Sequence, residues 1–78
     1  MRISFYGRLE EMIGRQIEHP AAPTVAKLRA SLADVFPVAA DLLLGGEIRV
    51  ATGDRIVSDD HMLSDNDQVD FFPPLSGG

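Results

Sequence analysis

The 78-residue chain contains no cysteine and no tryptophan. Without cysteine, neither a disulfide nor a thiolate zinc site can stabilise a small fold. A chain of this length buries only about 60% of the surface that its unfolded state exposes, so it has enough apolar surface for one core. We therefore expect a single small domain that is held by packing, with no metal site and no deep, enclosed active site.

Basic residues are scarce, with 7 Lys and Arg against 12 Asp and Glu, for a net charge of −5. Residues 31–78 contain nine acidic and two basic side chains, whereas residues 1–30 contain three acidic and five basic ones. This balance argues against nucleic acid or an anionic membrane surface as the partner. A charged partner is expected to be basic.

The sequence also lacks a long apolar run. No stretch approaches the roughly 20 residues needed to cross a bilayer, and Met1 leads directly into a strand pattern rather than a signal peptide. A cytoplasmic protein without a membrane partner is the simplest interpretation.

The hydrophobic pattern predicts an α+β domain. Alternation over residues 2–9 predicts a first strand, followed by a helical turn that ends in a left-handed cap at Gly14 and a second short strand over residues 15–19. Thr24 is placed to cap one helix that ends before Pro37. The apolar side of this helix is predicted to contain Val25, Leu28, Leu32 and Val35, with Phe36 adding to it.

The rest of the chain predicts three more strands. Residues 38–44 fit one more helical turn, and residues 47–52 form a strand pattern that ends in a Gly53–Asp54 turn. A short segment over residues 55–58 and a last strand over residues 68–72 complete the order β, β, α, β, β, β.

Most of the chain carries no catalytic pattern. His19 and His61 are far apart in sequence and are interpreted as ordinary surface residues. Residues 65–67 lack the glycine and the distant glutamate of a calcium loop and predict a turn. Glu10 and Glu11 are adjacent on a helical turn, where they point in different directions, so we interpret them as a solvated face.

The last strand is unusual because alternation turns an aromatic ring outward. With Val69 and Phe71 inward, Phe72 faces away from the core, and Tyr6 is also outward on the first strand. If the two strands are neighbours, Tyr6 and Phe72 form an aromatic patch typical of protein interfaces. An isolated exposed aromatic side chain would give the same pattern.

The end of the chain predicts an extended arm, residues 73–78, attached to a domain of residues 1–72. Two prolines favour an extended conformation, and six residues reach about 20 Å. Two glycines can pass through a narrow channel and present the terminal carboxylate to an enzyme, although a floppy terminus would have the same composition. The arm consists of Pro73, Pro74, Leu75, Ser76, Gly77 and Gly78.

A terminal carboxylate becomes reactive only after conversion to an acyl-adenylate, which a sulfur or amine nucleophile can then attack. Such a module is a group carrier that supplies reach and recognition while enzymes supply the chemistry. Because the chain has no cysteine, it could carry sulfur only at its terminal carbonyl.

Residues 71–78, together with Val69 and the acidic turn before it, resemble the ending of the MoaD family of small molybdopterin synthase subunits. The resemblance extends in register over essentially the whole chain. It implies a ubiquitin-like β-grasp fold, with a mixed sheet, one main crossing helix and an extended C-terminal tail.

The same resemblance implies the reaction. Gly78 would be adenylated by an ATP-dependent enzyme of the ubiquitin-activating type and converted to a thiocarboxylate with sulfur from a donor protein. The tail, Pro73 to Gly77, would insert into the large subunit, where the sulfur builds the dithiolene of molybdopterin. The family's contact surface matches Tyr6, Ile56 and Phe72.

The resemblance further implies a heterotetramer with the large subunit, no bound cofactor, and no activity of this chain alone. Glu10, Glu11 and Ala51–Gly53 depart from the family pattern, and we assign no role to them. Tail chemistry leaves two alternatives open: a sulfur carrier for thiamine or cysteine synthesis, and a ubiquitin-like modifier that forms isopeptide bonds.

Overall fold

The structure is a computed structural model that describes residues 1–73, which form one mixed sheet and three α-helices. The strands are β1 (Arg2–Phe5), β2 (Gln16–Glu18), β3 (Arg49–Thr52), β4 (Arg55–Val57) and β5 (Gln68–Phe72). The helices are α1 (Arg8–Ile13), α2 (Val25–Val35) and α3 (Ala40–Leu44), with a 3₁₀ turn at Pro37–Ala39.

The sheet has the strand order β2-β1-β5-β3-β4. β1 and β5 are parallel neighbours, while the other three pairings are antiparallel. Parallel strands require a long crossover, and the main helix α2 belongs to the segment that connects them. This architecture confirms the predicted mixed sheet with one main helix.

The core lies between the sheet and α2. Ile3 and Phe5 on β1 face Val69 and Phe71 on β5, and all four side chains are fully buried. The rings of Phe5 and Phe71 are tilted by 36°, with centroids 5.7 Å apart, which is a favourable separation for an aromatic pair. From α2, Val25, Leu28 and Leu32 complete this layer.

The predicted first strand is too long. β1 ends at Phe5, Gly7 has φ +66° and ψ −136°, and α1 already begins at Arg8. Leu9 therefore reaches the core from a helix rather than from a strand. Gly14 ends α1 as predicted and has a positive φ of +128°, which favours glycine, but its ψ of +168° lies outside the left-handed helical region.

The predicted α2 is confirmed, with one error in its apolar side. The Thr24 hydroxyl oxygen accepts a hydrogen bond from the Lys27 amide at 3.2 Å, and the helix ends at Val35, shortly before Pro37. Val35 is 56% exposed. Phe36, just beyond the helix, is partly buried and packs against the core, as predicted.

His19 is buried, so its interpretation as a surface residue was wrong. It follows the edge strand β2, and its Nε2 lies 2.9 Å from the hydroxyl oxygen of Ser31 on α2. Burial lowers the pKa of His19 from its usual 6.5, and the nearby positive charge of the chain's amino terminus lowers it further. His19 is therefore a neutral contact between the sheet edge and the main helix.

Arg29 is a second polar residue with a largely buried side chain, which the sequence pattern did not reveal. Its side chain is only 11% exposed and forms an ion pair with Asp59 at 2.9 Å. It also donates to the carbonyls of Leu43 at 2.8 Å and Ile48 at 2.7 Å, and its guanidinium lies 6.0 Å from the ring centroid of Phe71. One α2 side chain thus holds the connection from α3 to β3 in place.

We expect Arg29→Met to lower the free energy of unfolding by about 2–4 kcal/mol, because buried carbonyls lose a charged donor that methionine cannot replace. Urea unfolding followed by circular dichroism measures this change. The matched control is Arg15→Met, which removes an exposed ion pair with Glu10 and should change the value by less than about 0.5 kcal/mol. Equal effects of the two substitutions would contradict the role of Arg29.

His19 should make stability depend on pH. Its pKa is lower in the folded chain than in the unfolded chain, so the unfolded state binds the proton more tightly. The stabilisation is complete above about pH 6.5 and decreases as the pH falls through the window between the unfolded and the folded pKa. His19→Gln, which keeps an amide near Ser31, should lose this dependence. Unfolding curves measured for both proteins across this window test the expectation, and parallel pH profiles would refute it.

Candidate functional site

The face of the sheet that turns away from α2 is the candidate site, and we call it the outer face. Its residues alternate with the buried ones along each strand. Phe72 on β5 is paired with Arg49 on β3, and Ala51 on β3 is paired with Asp70 on one side and Ile56 on the other. The outer face therefore extends from β1 to the edge strand β4.

Tyr6 and Phe72 are neighbours, as the sequence predicted for adjacent strands. The parallel register pairs Phe5 with Phe71, and the Tyr6 amide donates to the Phe71 carbonyl at 3.0 Å, which continues that register by one residue. Tyr6 is 47% exposed. Phe72 is half-buried rather than solvent-facing, because β5 has a neighbouring strand on each side.

Ile56 lies on the same outer face but on the edge strand β4, where it is 62% exposed. β3 separates it from β5, so Ile56 and Phe72 are about 10 Å apart in the direction across the strands. The structure thus places the three predicted interface residues on one face, with β3 between Ile56 and the aromatic pair. That they bind a partner stays a prediction.

The chain leaves the sheet beside Gly7. A Cβ atom at Gly7 would lie 2.8 Å from Cγ of Pro73, closer than side chains normally approach, and the positive φ of Gly7 also favours glycine. Gly7 therefore lets the first residue of the predicted tail pass against the turn that follows β1. The remaining tail predictions, on Pro74, Leu75, Ser76, Gly77 and Gly78, lie outside the described residues.

Two kinds of functional feature are absent from residues 1–73. Within residues 1–73, no three histidine or acidic side chains come together where they could hold a metal ion. Over the same residues, no helix has both the length and the apolar character to cross a membrane.

Two residues of the candidate site, Gly7 and Arg49, were not among those predicted from the sequence. Gly7 interrupts the alternation of residues 2–9, and a glycine inside a strand pattern was the available signal for a break. Arg49 precedes the buried Val50, so alternation alone would have placed it on the outer face.

Comparison with known proteins identifies a family to which this chain is similar. A model described as the ThiS family matches residues 3–78. The molybdopterin synthase sulfur carrier subunit of Escherichia coli (strain K12) is 36% identical over 80 residues, which cover 100% of this chain and 99% of that protein.

Solved structures confirm the fold. The solution structure of small archaeal modifier protein 1 from Methanosarcina acetivorans has a TM-score of 0.84 at 20% identity, covering 99% of this chain and 94% of that one. The crystal structure of an Amycolatopsis orientalis BexX/CysO complex has a TM-score of 0.79 at 19% identity, covering 99% and 98%. The expected ubiquitin-like β-grasp fold is therefore confirmed.

We expect Gly7→Ala to strain the backbone by about 1–2 kcal/mol and to displace Pro73. Pro73→Ala removes the ring carbon that the new Cβ would meet, but it leaves the strain at residue 7. Unfolding of the wild type, both single variants and the double variant separates the two effects, and NMR shifts of residue 73 report its displacement. Two results together would contradict this role of the contact. Gly7→Ala would lower the free energy of unfolding equally with proline and with alanine at position 73, and it would leave the NMR shifts of residue 73 unchanged.

Proposed function

We propose, because the chain belongs to the ThiS family of MoaD/ThiS-like sulfur carriers, that it is the sulfur carrier subunit of a molybdopterin synthase. The observation that carries the proposal is the full-length similarity to a protein of that name, at 36% identity. The chain has no catalytic activity of its own. It contributes its terminal carboxylate to an active site that a partner provides.

The proposed chemistry takes place at Gly78. Its carboxylate attacks ATP bound to an activating enzyme, which forms an acyl-adenylate and releases pyrophosphate. A persulfide on a donor protein then displaces AMP and forms an acyl disulfide with Gly78. A thiol cleaves the S–S bond of this intermediate, which leaves a thiocarboxylate on Gly78 and oxidises the thiol to a disulfide. ATP is consumed by the activating enzyme, so the carrier itself needs no bound cofactor.

The large subunit then receives the sulfur. The thiocarboxylate sulfur displaces an oxygen substituent from a carbon of the pterin precursor. Water then cleaves the resulting thioester, which returns the Gly78 carboxylate and leaves sulfur on the product. The dithiolene needs two sulfur atoms, so two loaded carriers are used for each product. We propose a heterotetramer of two carriers and two large subunits in the cytoplasm.

The geometry of the described residues supports this division of labour. β5 ends at Phe72 on the outer face and continues directly into Pro73, the first residue of the tail. A partner that binds Tyr6, Ile56 and Phe72 would therefore also fix where the tail begins. Six residues beyond Phe72 can reach about 20 Å into that partner.

Two alternatives use the same tail chemistry: sulfur delivery to thiamine or cysteine synthesis, and attachment to lysines of other proteins. The similarity to the BexX/CysO complex and to a small archaeal modifier protein lies below 25% identity and concerns the fold alone. The fold therefore does not separate these functions from the proposed one, whereas the chemical state of Gly78 does.

We expect the chain to gain the mass difference between sulfur and oxygen when it is incubated with its activating enzyme, ATP and a sulfur donor. Intact-mass spectrometry measures this gain, and fragmentation places it at Gly78. Addition of the large subunit and the pterin precursor should return the original mass and form molybdopterin. Adducts on lysine without any thiocarboxylate would contradict the proposal.

The matched control is a chain that lacks Gly78. It should show no mass gain and form no molybdopterin, while its unfolding curve should match the wild type because a terminal residue contributes little packing. Molybdopterin formation by this truncated chain would exclude Gly78 as the sulfur carrier.

A further inference from the structure

Arg49 lies on the outer face at the start of β3. It lies on β3, between β5 with Phe72 and β4 with Ile56, and it is paired directly with Phe72. Its side chain is exposed, and it takes part in none of the ion pairs found within residues 1–73. A positive charge is therefore flanked by the apolar residues that the proposed interface would cover.

Docking would remove water from this guanidinium. Arg49 is paired directly with Phe72, and Ile56 lies across from Ala51, two residues further along the same strand, so a partner that covers both Phe72 and Ile56 also contacts the start of β3. A buried charge without a partner is strongly destabilising, whereas an ion pair with good hydrogen bonds offsets much of that destabilisation. Arginine is also enriched among the residues that dominate binding.

Among residues 1–73, Asp70 is a carboxylate on the same face as Arg49. It is on β5, diagonal to Arg49, and the two groups form no ion pair within 4.0 Å. Instead, Asp70 accepts a hydrogen bond from the Gln68 amide at 3.1 Å. The described residues therefore leave Arg49 without a counter-charge, although the chain as a whole is acidic.

We propose that the partner surface covering the outer face carries a carboxylate that binds Arg49 within an otherwise apolar contact. This inference rests on the proposed function, which supplies the large subunit as the partner. It reverses, at this position, the expectation from net charge that the partner is basic. Because a guanidinium binds a carboxylate through two parallel hydrogen bonds, Arg49 fixes the orientation of docking as well as its strength.

The test is the affinity of carrier variants for the large subunit of molybdopterin synthase from the same cells, measured by calorimetry at two salt concentrations. Arg49→Met keeps the apolar stem and removes the charge, so we expect the dissociation constant to rise by roughly 30-fold or more. Arg49→Glu should weaken binding further, through repulsion of the partner's carboxylate.

Arg55→Met is the matched control. It removes the same charge from an exposed arginine that precedes Ile56 and alternates to the opposite side of β4, so its effect should stay within about 3-fold. Ile56→Ser serves as the positive control that the outer face is the interface. Unfolding curves of all variants exclude loss of the fold.

Asp70→Asn separates the two possible counter-charges. If the partner supplies the carboxylate, this substitution leaves affinity unchanged or raises it. If Asp70 neutralises Arg49 on docking, Asp70→Asn weakens binding and the double variant with Arg49→Met recovers it, which would overturn the inference.

Two further outcomes are also decisive. Normal binding by Arg49→Met, with weakened binding by Ile56→Ser, would overturn the inference while leaving the proposed function intact. A wild-type chain that does not bind the large subunit at all would contradict the proposed function, and the role of Arg49 with it.

Discussion

The parallel pairing of β1 with β5 brings the first strand and the last strand of the chain together at the centre of the sheet. On one side, this pairing buries Ile3 and Phe5 against Val69 and Phe71. On the other side, the same register sets Tyr6 beside Phe72. Core and outer face are therefore two consequences of one strand register, and a shift by one residue would exchange them.

Arg29 connects this central pair to the rest of the domain. Its guanidinium approaches the ring of Phe71, while its nitrogens bind carbonyls on both sides of the turn between α3 and β3. The Ile48 carbonyl lies immediately before Arg49, where β3 begins. A buried side chain on the core side thus fixes the start of the strand that carries Arg49 and Ala51 on the outer face. Because the chain has no cysteine, noncovalent contacts such as this one must hold the helix and the sheet together.

The sequence predicted the features that depend on local periodicity. Alternation identified β5 with its inward Val69 and Phe71, and a capping residue at the correct spacing identified the start of α2. The sequence did not predict the features that depend on contacts between distant parts of the chain. Gly7 ends β1 early because the backbone turns there, and His19 is buried because Ser31 on a distant helix binds it. The sequence of α2 has the pattern of an amphipathic helix and gives no sign that Arg29 is special. The carbonyls that bind Arg29 come close to it only in the folded chain.

Net charge and local charge make different demands on a partner of this small protein. The net charge of −5 acts over distances near the Debye length, about 8–10 Å at physiological ionic strength, and influences encounter. Arg49 acts only at contact, where water is excluded and each charge must find its own partner. A surface with basic residues at its margin and one carboxylate opposite Arg49 would satisfy both demands. If the proposed partner carries that carboxylate, this pattern discriminates against proteins of the same fold that lack an arginine at this position.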